Sequence, residues 1–212
     1  MFFNNQNMNK KDYTGIVPVN YTGKEIEAEA SAELKSDDEA KAFYTIVKER
    51  LLSVNKWHHM AGIVSARFQL VDKSGKIVER KAEKGDYIKI DIPGPGSKEG
   101  KGYDWVSVEE LREVTENNIQ SIGFRVRPAA HPFDDAKNIA HFYDDSATSN
   151  FIVTREGTKI SANIIDRNVK PNDDTTSAID KVRHFAVSTG AIAAFSKAQW
   201  QNLAEGWLKQ EK

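Results

Sequence analysis

Lys24-Glu25-Ile26-Glu27-Ala28-Glu29-Ala30-Ser31-Ala32-Glu33-Leu34 alternates almost perfectly between apolar and polar side chains. A period of two places Ile26, Ala28, Ala30, Ala32 and Leu34 on one face, and Glu25, Glu27, Glu29, Ser31 and Glu33 on the other. Glu and Ala are poor strand formers, so a helix is the rival assignment. On a helix, however, the glutamates would scatter around the axis. The alternation therefore predicts a half-buried strand. Its small residues Ala28, Ala30 and Ala32 leave room, either for a closely packed helix, the favoured alternative, or for a cavity.

Downstream, Ser36 and Glu39 form a capping box, which satisfies free N–H groups at a helix start. Ala40, Phe43, Val47, Leu51 and Val54 follow at helical spacing and predict one helix over 37–55. Trp57 comes next, and Gly62 turns the chain. A strand is predicted over 63–71, with Val64, Ala66, Phe68 and Leu70 on one face. Asp72-Lys73-Ser74-Gly75 reads as a hairpin turn into a return strand over 76–82. Further strands are predicted over 87–92, 103–114 and 119–127, with 108–111 ambiguous and a turn at Asn117-Asn118. Pro93 to Gly102 forms a glycine-rich loop. Residues 128–147 look irregular, and a last hairpin joins 150–154 to 159–165.

Pro171 breaks the chain, and Ser177 with Asp180 starts a helical region over 176–209. Within it Ser196 and Gln199 read as a second cap. Trp200, Leu203, Ala204, Trp207 and Leu208 then make the strongest amphipathic pattern in the chain. The segment is one bent helix or two consecutive ones. Upstream of the first strand, residues 1–12 read as a disordered polar tail and 13–212 as a single α+β domain. The fold expected is a curved antiparallel sheet of about six to eight strands, covered by the early helix and the C-terminal helical segment.

Composition narrows the function classes. The 212 residues carry 30 Lys plus Arg against 31 Asp plus Glu, so the basic surplus usual for a phosphate-backbone binder is missing. There is no cysteine, which removes disulfides, thiol catalysis and cysteine metal sites. No apolar run approaches the roughly 18–20 residues that span a bilayer. Without an export signal, the expectation is a cytoplasmic protein with neither nucleic-acid partner nor stable membrane insertion.

The order strand, helix, antiparallel strands, closing helix resembles the helix-grip fold of the START-like superfamily (SRPBCC, polyketide cyclase and Bet v 1-like proteins). The resemblance covers about residues 16–209 and is one of element order. It implies a cavity between sheet and C-terminal helix that binds an apolar ligand.

Several residue groups invite chemistry. His58-His59, with His131, His141 or His184, supplies imidazoles but no ligand spacing on one helix; a helix-end histidine beside the dipole's negative end is the favoured alternative, and no metal or cofactor is expected. The loop Gly94–Gly102 fails the P-loop pattern because Pro95 stands where the first glycine belongs and Gly102 follows Lys101. Arg67, Arg125, Arg127 and Arg155 could gather an anion, but pairing with acids across a solvated sheet face is favoured. A nucleic-acid-binding sheet built on Tyr103, Trp105 and Phe124 is disfavoured by the neutral charge. Asp144-Asp145 and Asn172 to Thr175 lack an EF-hand's spacing. No nucleophile elbow is present.

The leading expectation is binding of a small apolar or amphipathic molecule between sheet and C-terminal helix, lined by Phe68, Ile90, Phe124, Val126, Phe185 and Trp200. The alternative is an enzyme of cyclase or hydrolase type in the same cavity, using His58, His141 or an Asp as acid–base group. A third is an interaction module with a filled core and an exposed patch around Trp105, Trp200 or Trp207.

Overall fold

A computed structural model describes residues 12–62, 66–92, 97, 99–133, 138–172 and 189–210, with the backbone alone for 189–193. The opening alternation is strand β1, Lys24–Glu33, with Ile26 and Ala28 buried and the glutamates turned outward. Six more strands follow: β2 Arg67–Val71, β3 Tyr87–Asp91, β4 Asp104–Glu116, β5 Ile119–Pro128, β6 Thr148–Glu156 and β7 Lys159–Val169. They make one sheet in the order β1-β7-β6-β5-β4-β3-β2, antiparallel throughout. The ambiguity around 108–111 is a bulge: register shifts between Val108 and Glu110 opposite β5. A bulge of this kind bends its strand and increases the local twist.

Curvature follows from the aromatic contacts. In a flat sheet, β2 and β6 would lie about 19 Å apart, four spacings of roughly 4.8 Å. Yet the Trp57 ring centroid is 5.3 Å from that of Phe68 on β2 and 4.8 Å from that of Phe151 on β6. One indole reaches both because the sheet curls around it. Phe124 and Trp207 complete its shell at 5.7 and 5.5 Å.

The early helical region is broken, a correction to the single helix over 37–55. Helix α1, Asp37–Leu52, gives way at Ser53 to a 3₁₀ turn, Val54–Lys56, and then to helix α2, Trp57–Ala61. Ser53 leaves helical backbone space, with φ −87° and ψ 65°. The break lets Trp57 drop into the core, where its indole N–H donates to the Leu51 carbonyl at 3.0 Å. The N-cap forms, Ser36 Oγ accepting from the Glu39 N–H, while Glu39 Oε2 reaches one residue past the cap and accepts from the Lys35 N–H.

The expected return strand over 76–82 is also corrected. The turn forms, with Gly75 at φ 88° and Asp72 N–H donating to the Lys76 carbonyl. Beyond it only a single bridge, Val71 to Ile77, survives. Asn55 reaches between the two segments, accepting from Leu70 N–H and donating to the Val78 carbonyl. Arg80 is drawn off to Asp86, and Ala82 N–H donates to the Leu52 carbonyl. The true partner of β2 is β3.

Helix α3, Thr189–Trp207, lies across the concave face, mainly over β1 and β7. It runs continuously through Ser196, so the expected second cap is not one. The Ser196 hydroxyl instead meets the Tyr143 hydroxyl at 3.3 Å, and Gln199 accepts from the Ala66 N–H at 2.9 Å. Gly206 is needed where the helix crosses α2: an added Cβ would meet the Met60 carbonyl oxygen at 2.3 Å.

The convex face departs from the wet surface expected of an antiparallel sheet. Residues 12–22 cross it as a strap. Asp12 organises a turn by accepting from the N–H groups of Thr14, Gly15 and Val17. Ile16 then packs fully buried on Ile152 and Ile165. Gly123 makes that approach feasible, since a Cβ there would sit 2.6 Å from Ile16 Cδ1.

Candidate functional site

Register fixes what the concave face presents to α3. One row across the sheet reads Ile26, Asp166, Ser149 and Val126, on β1, β7, β6 and β5. The next reads Ala28, Ile164, Phe151 and Phe124. A carboxyl group thus stands in an otherwise apolar floor. Neither alternation nor composition marks Asp166, because the strand predicted over 159–165 stopped one residue short of it. The structure extends β7 to Val169.

Asp166 is 1% exposed. Its Oδ2 accepts from Trp200 Nε1 at 2.8 Å, which pins α3 to the sheet. The Ser149 hydroxyl faces the carboxyl from β6 and favours its ionised form, but Oδ1 receives no hydrogen bond among the described residues. Burial dominates, and the pKa is pushed up to about 6. Tyr143 closes the same corner: buried, hydrogen-bonded to Ser196, with its phenol pKa raised by burial and by the nearby Asp166 charge. Trp200 remains half-buried and stands edge-on to Phe151 at 5.3 Å and 6.3 Å from Phe68.

A second acid sits further out on the same face. Asp104 on β4 lies opposite Ile90, which in turn shares its rung with Phe68. It is 4% exposed, and burial raises its pKa to about 7 against backbone N–H bonds from Phe142 and Ser97. His141 is buried beside this segment, its Nδ1 accepting from the Tyr143 N–H, and burial depresses its pKa to about 3.

The structure brings Phe68, Ile90, Phe124, Val126 and Trp200 to one face of one core. Phe124 is wholly enclosed, stacked on Trp57 and Phe151, whereas Trp200 lies at the margin of that core. Phe185 and His184 lie outside the described residues. A groove of about 210 Å3 on the β1–β7 edge is lined by Glu27, Ala28, Glu29, Asn163 and Ile165, none of them in the expected set.

The other candidates resolve into structure. Arg125 and Arg127 share the Glu109 carboxylate at 3.0 and 2.6 Å and donate to the carbonyls of Ile16 and Asp145. Arg155 lies on the opposite face, where it binds Asp37, Gln120, Asn118 and the Gly157 carbonyl. Arg67, on β2, faces Asp91 across the ladder. The four arginines therefore do not converge. Tyr103 and Trp105 pack with Val71 and Ala140 in a separate cluster from Phe124, which breaks the aromatic trio of a nucleic-acid platform. Trp105 and Trp207 are buried, so neither forms an exposed patch. His58 and His59 lie with ring centroids 3.7 Å apart and planes tilted by 42°, and burial, followed by the His59 and Arg67 charges, lowers the His58 pKa. Among the described residues no three His, Asp or Glu side chains gather as a metal site. Among the same residues no helix is long and apolar enough to cross a membrane.

No protein-family model matches the chain, and no curated protein sequence matches it. Solved structures do resemble it. A hypothetical protein from Helicobacter pylori is 13% identical, with a TM-score of 0.48 over 97% of each chain. Major latex-like protein 151 from Panax ginseng is 11% identical, with a TM-score of 0.37 over 86% of this chain and 97% of that one. Ara h 8.0201 is 10% identical, with a TM-score of 0.35 over 85% of this chain and 97% of that one. The last two are Bet v 1-like proteins. The helix-grip arrangement of this chain rests on its own strand order, its curl and its closing helix.

Proposed function

We propose that the protein binds a small apolar or amphipathic molecule between the concave sheet face and α3. The observation that carries this reading is the half-buried state of Trp200. This large aromatic joins α3 to both arms of the curled sheet, yet stays half-buried while Trp57, Phe124 and Trp207 are enclosed. Phe68 and Phe151 pack on it, and the proposed lining adds Ile90 and Val126 from the same face, Phe124 deeper, and Phe185 from the sequence. Displacing or sliding past one indole exposes apolar floor to a ligand, and such burial contributes about 25 cal/mol per Å2.

Native mass spectrometry of the purified protein and a thermal-shift panel of fatty, sterol-like and aromatic compounds test the reading. A ligand at a hundred times its Kd stabilises by about 2.7 kcal/mol. In a chain of this length that raises the Tm by roughly 5–10 °C. No retained molecule and no shift across the panel would overturn it.

A second reading, acid–base catalysis at the same face, is favoured by one observation: Asp104 is a buried carboxyl whose pKa of about 7 suits proton transfer near neutral pH. Turnover of a cavity-bound ester or polyketone that Asp104→Asn abolishes, with the fold intact, is the expected outcome; unchanged turnover sinks this reading.

A further inference from the structure

A buried carboxylate needs a counter-charge or a full set of donors, because taking it out of water costs several kcal/mol unless partners replace the hydration shell. Asp166 falls short of that: the Arg167 charge and the Ser149 and Trp200 donors favour its ionised form, but burial outweighs them and Oδ1 keeps no hydrogen bond among the described residues. No lysine or arginine pairs with it there, since the adjacent Arg167 turns to Glu25 and Glu27 at the sheet edge. Its one direct donor of good geometry is the Trp200 indole, and Oδ1 is left over. Its neighbours Tyr143, Ser196 and Ser149 are hydroxyls, which can donate or accept. Around this polar nest the floor is apolar, with Ile26, Val126 and Phe151 on the adjoining positions.

Two other buried charges contrast with it, although the neutral groups Tyr44 Oη, Asn150 Oδ1 and Trp207 Nε1 also lack a partner among the described residues. Arg155 donates to Gln120, Asp37, Asn118 and the Gly157 carbonyl, and Asp86, also buried, accepts both arms of Arg80 at 2.7 and 2.9 Å and the Glu83 N–H. Asp104 is the other buried carboxyl without an ion pair, but backbone N–H groups of Phe142 and Ser97 hydrogen-bond it. Asp166 Oδ1 is a buried acceptor left over on the residue that Trp200 bonds, on the face where the proposed ligand would enter.

Resting on the binding function proposed above, we infer that Asp166 recognises the polar head of the bound molecule, and that this head is a hydrogen-bond donor, best a protonated amine on an apolar body. The ammonium would donate to Oδ1, while Trp200 keeps Oδ2 and the hydroxyls of Ser149 and Tyr143 accept its remaining protons. A carboxylate head would place two anions in one desolvated corner and be rejected.

Decylamine, decanol and decanoate share one body and differ in the head. Their affinities, read by calorimetry below micelle-forming concentrations, separate the two claims. The expected order is decylamine, then decanol, then decanoate, with at least about tenfold between first and last, as a charge-assisted hydrogen bond would give. In Asp166→Asn the amine preference over decanol should collapse, while decanol itself binds as before. Trp200→Phe frees Oδ2, so the ratio of decylamine to decanol affinity should rise; this variant serves if the first does not fold. Equal binding of all three, or a decylamine-to-decanol ratio unchanged in either variant, overturns the role of Asp166 but leaves the cavity function standing. Failure of all three probes to bind overturns both.

Discussion

The two ends of the concave face handle a buried charge in opposite ways. At the end covered by the start of α1, Arg155 is 2% exposed and donates from Nε to Gln120 and from Nη1 to Asp37, Asn118 and the Gly157 carbonyl. At the end under α3, Asp166 is as deeply buried, with one oxygen held and the other left over. Arg155 ties the α1 N-terminus to the β6–β7 turn. Asp166 is a cost to the fold, and the burial that lifts its pKa measures that cost. Arg155 joins elements of the fold, whereas Asp166 keeps an unused acceptor for the ligand head proposed above.

Between the ends lies the aromatic hub that both depend on. Truncating Trp57 to Ala removes the side chain that meets Phe68, Phe124, Phe151 and Trp207. The expected loss is about 3–5 kcal/mol in urea unfolding, the largest effect foreseen. A loss below about 1 kcal/mol would mean that α2 does not seat between the sheet arms as described.

The charge comparison itself is sharpened by two substitutions. Arg155→Met strips charge-assisted bonds from a satisfied site and should destabilise by about 2–3 kcal/mol, with little dependence on pH above 6. Asp166→Asn should do the reverse at high pH. The folded-state pKa of about 6 lies above the ordinary value of 3.8, so the folded protein holds a proton that the unfolded chain has released. The stability this group contributes is complete below pH 3.8 and is lost as pH rises through about 6. Removing the charge should therefore stabilise by roughly 2–3 kcal/mol at pH 8 and by almost nothing at pH 4. Equal pH profiles for wild type and Asp166→Asn would end the contrast between the two ends. His141 works in the opposite sense: with its pKa depressed to about 3, its contribution is lost as pH falls from about 6.5 towards 3. The smallest effect foreseen is Ser36→Ala, about 1 kcal/mol for the lost cap on α1, seen in a thermal scan.

Much of the fold was legible in local pattern. The β1 alternation, the Ser36 cap and the hairpin turn at Asn117 depend on neighbours along the chain, and each appears where the pattern puts it. The failures share a cause. Residues 76–82 have a strand's composition, but Asn55, Asp86 and Leu52, distant or off the strand, take their polar groups. Ser196 and Gln199 have a cap's spacing, but their side chains are claimed by Tyr143 and Ala66. Phe68, Ile90, Phe124, Val126 and Trp200 were legible as apolar periodic positions of the core; the buried Asp166 was not, because a lone aspartate at a strand end carries no periodic signal.

The sequence by itself determined which stretches extend, which coil and which side of each is apolar, since these follow from side-chain period and backbone preference within a few residues. Only the tertiary structure decided which strands adjoin, how tightly the sheet curls, that residues 12–22 cover its far side and that Asp166 ends beneath Trp200. Those outcomes turn on contacts between residues far apart in the chain, where packing and the competition for hydrogen-bond partners outweigh local preference.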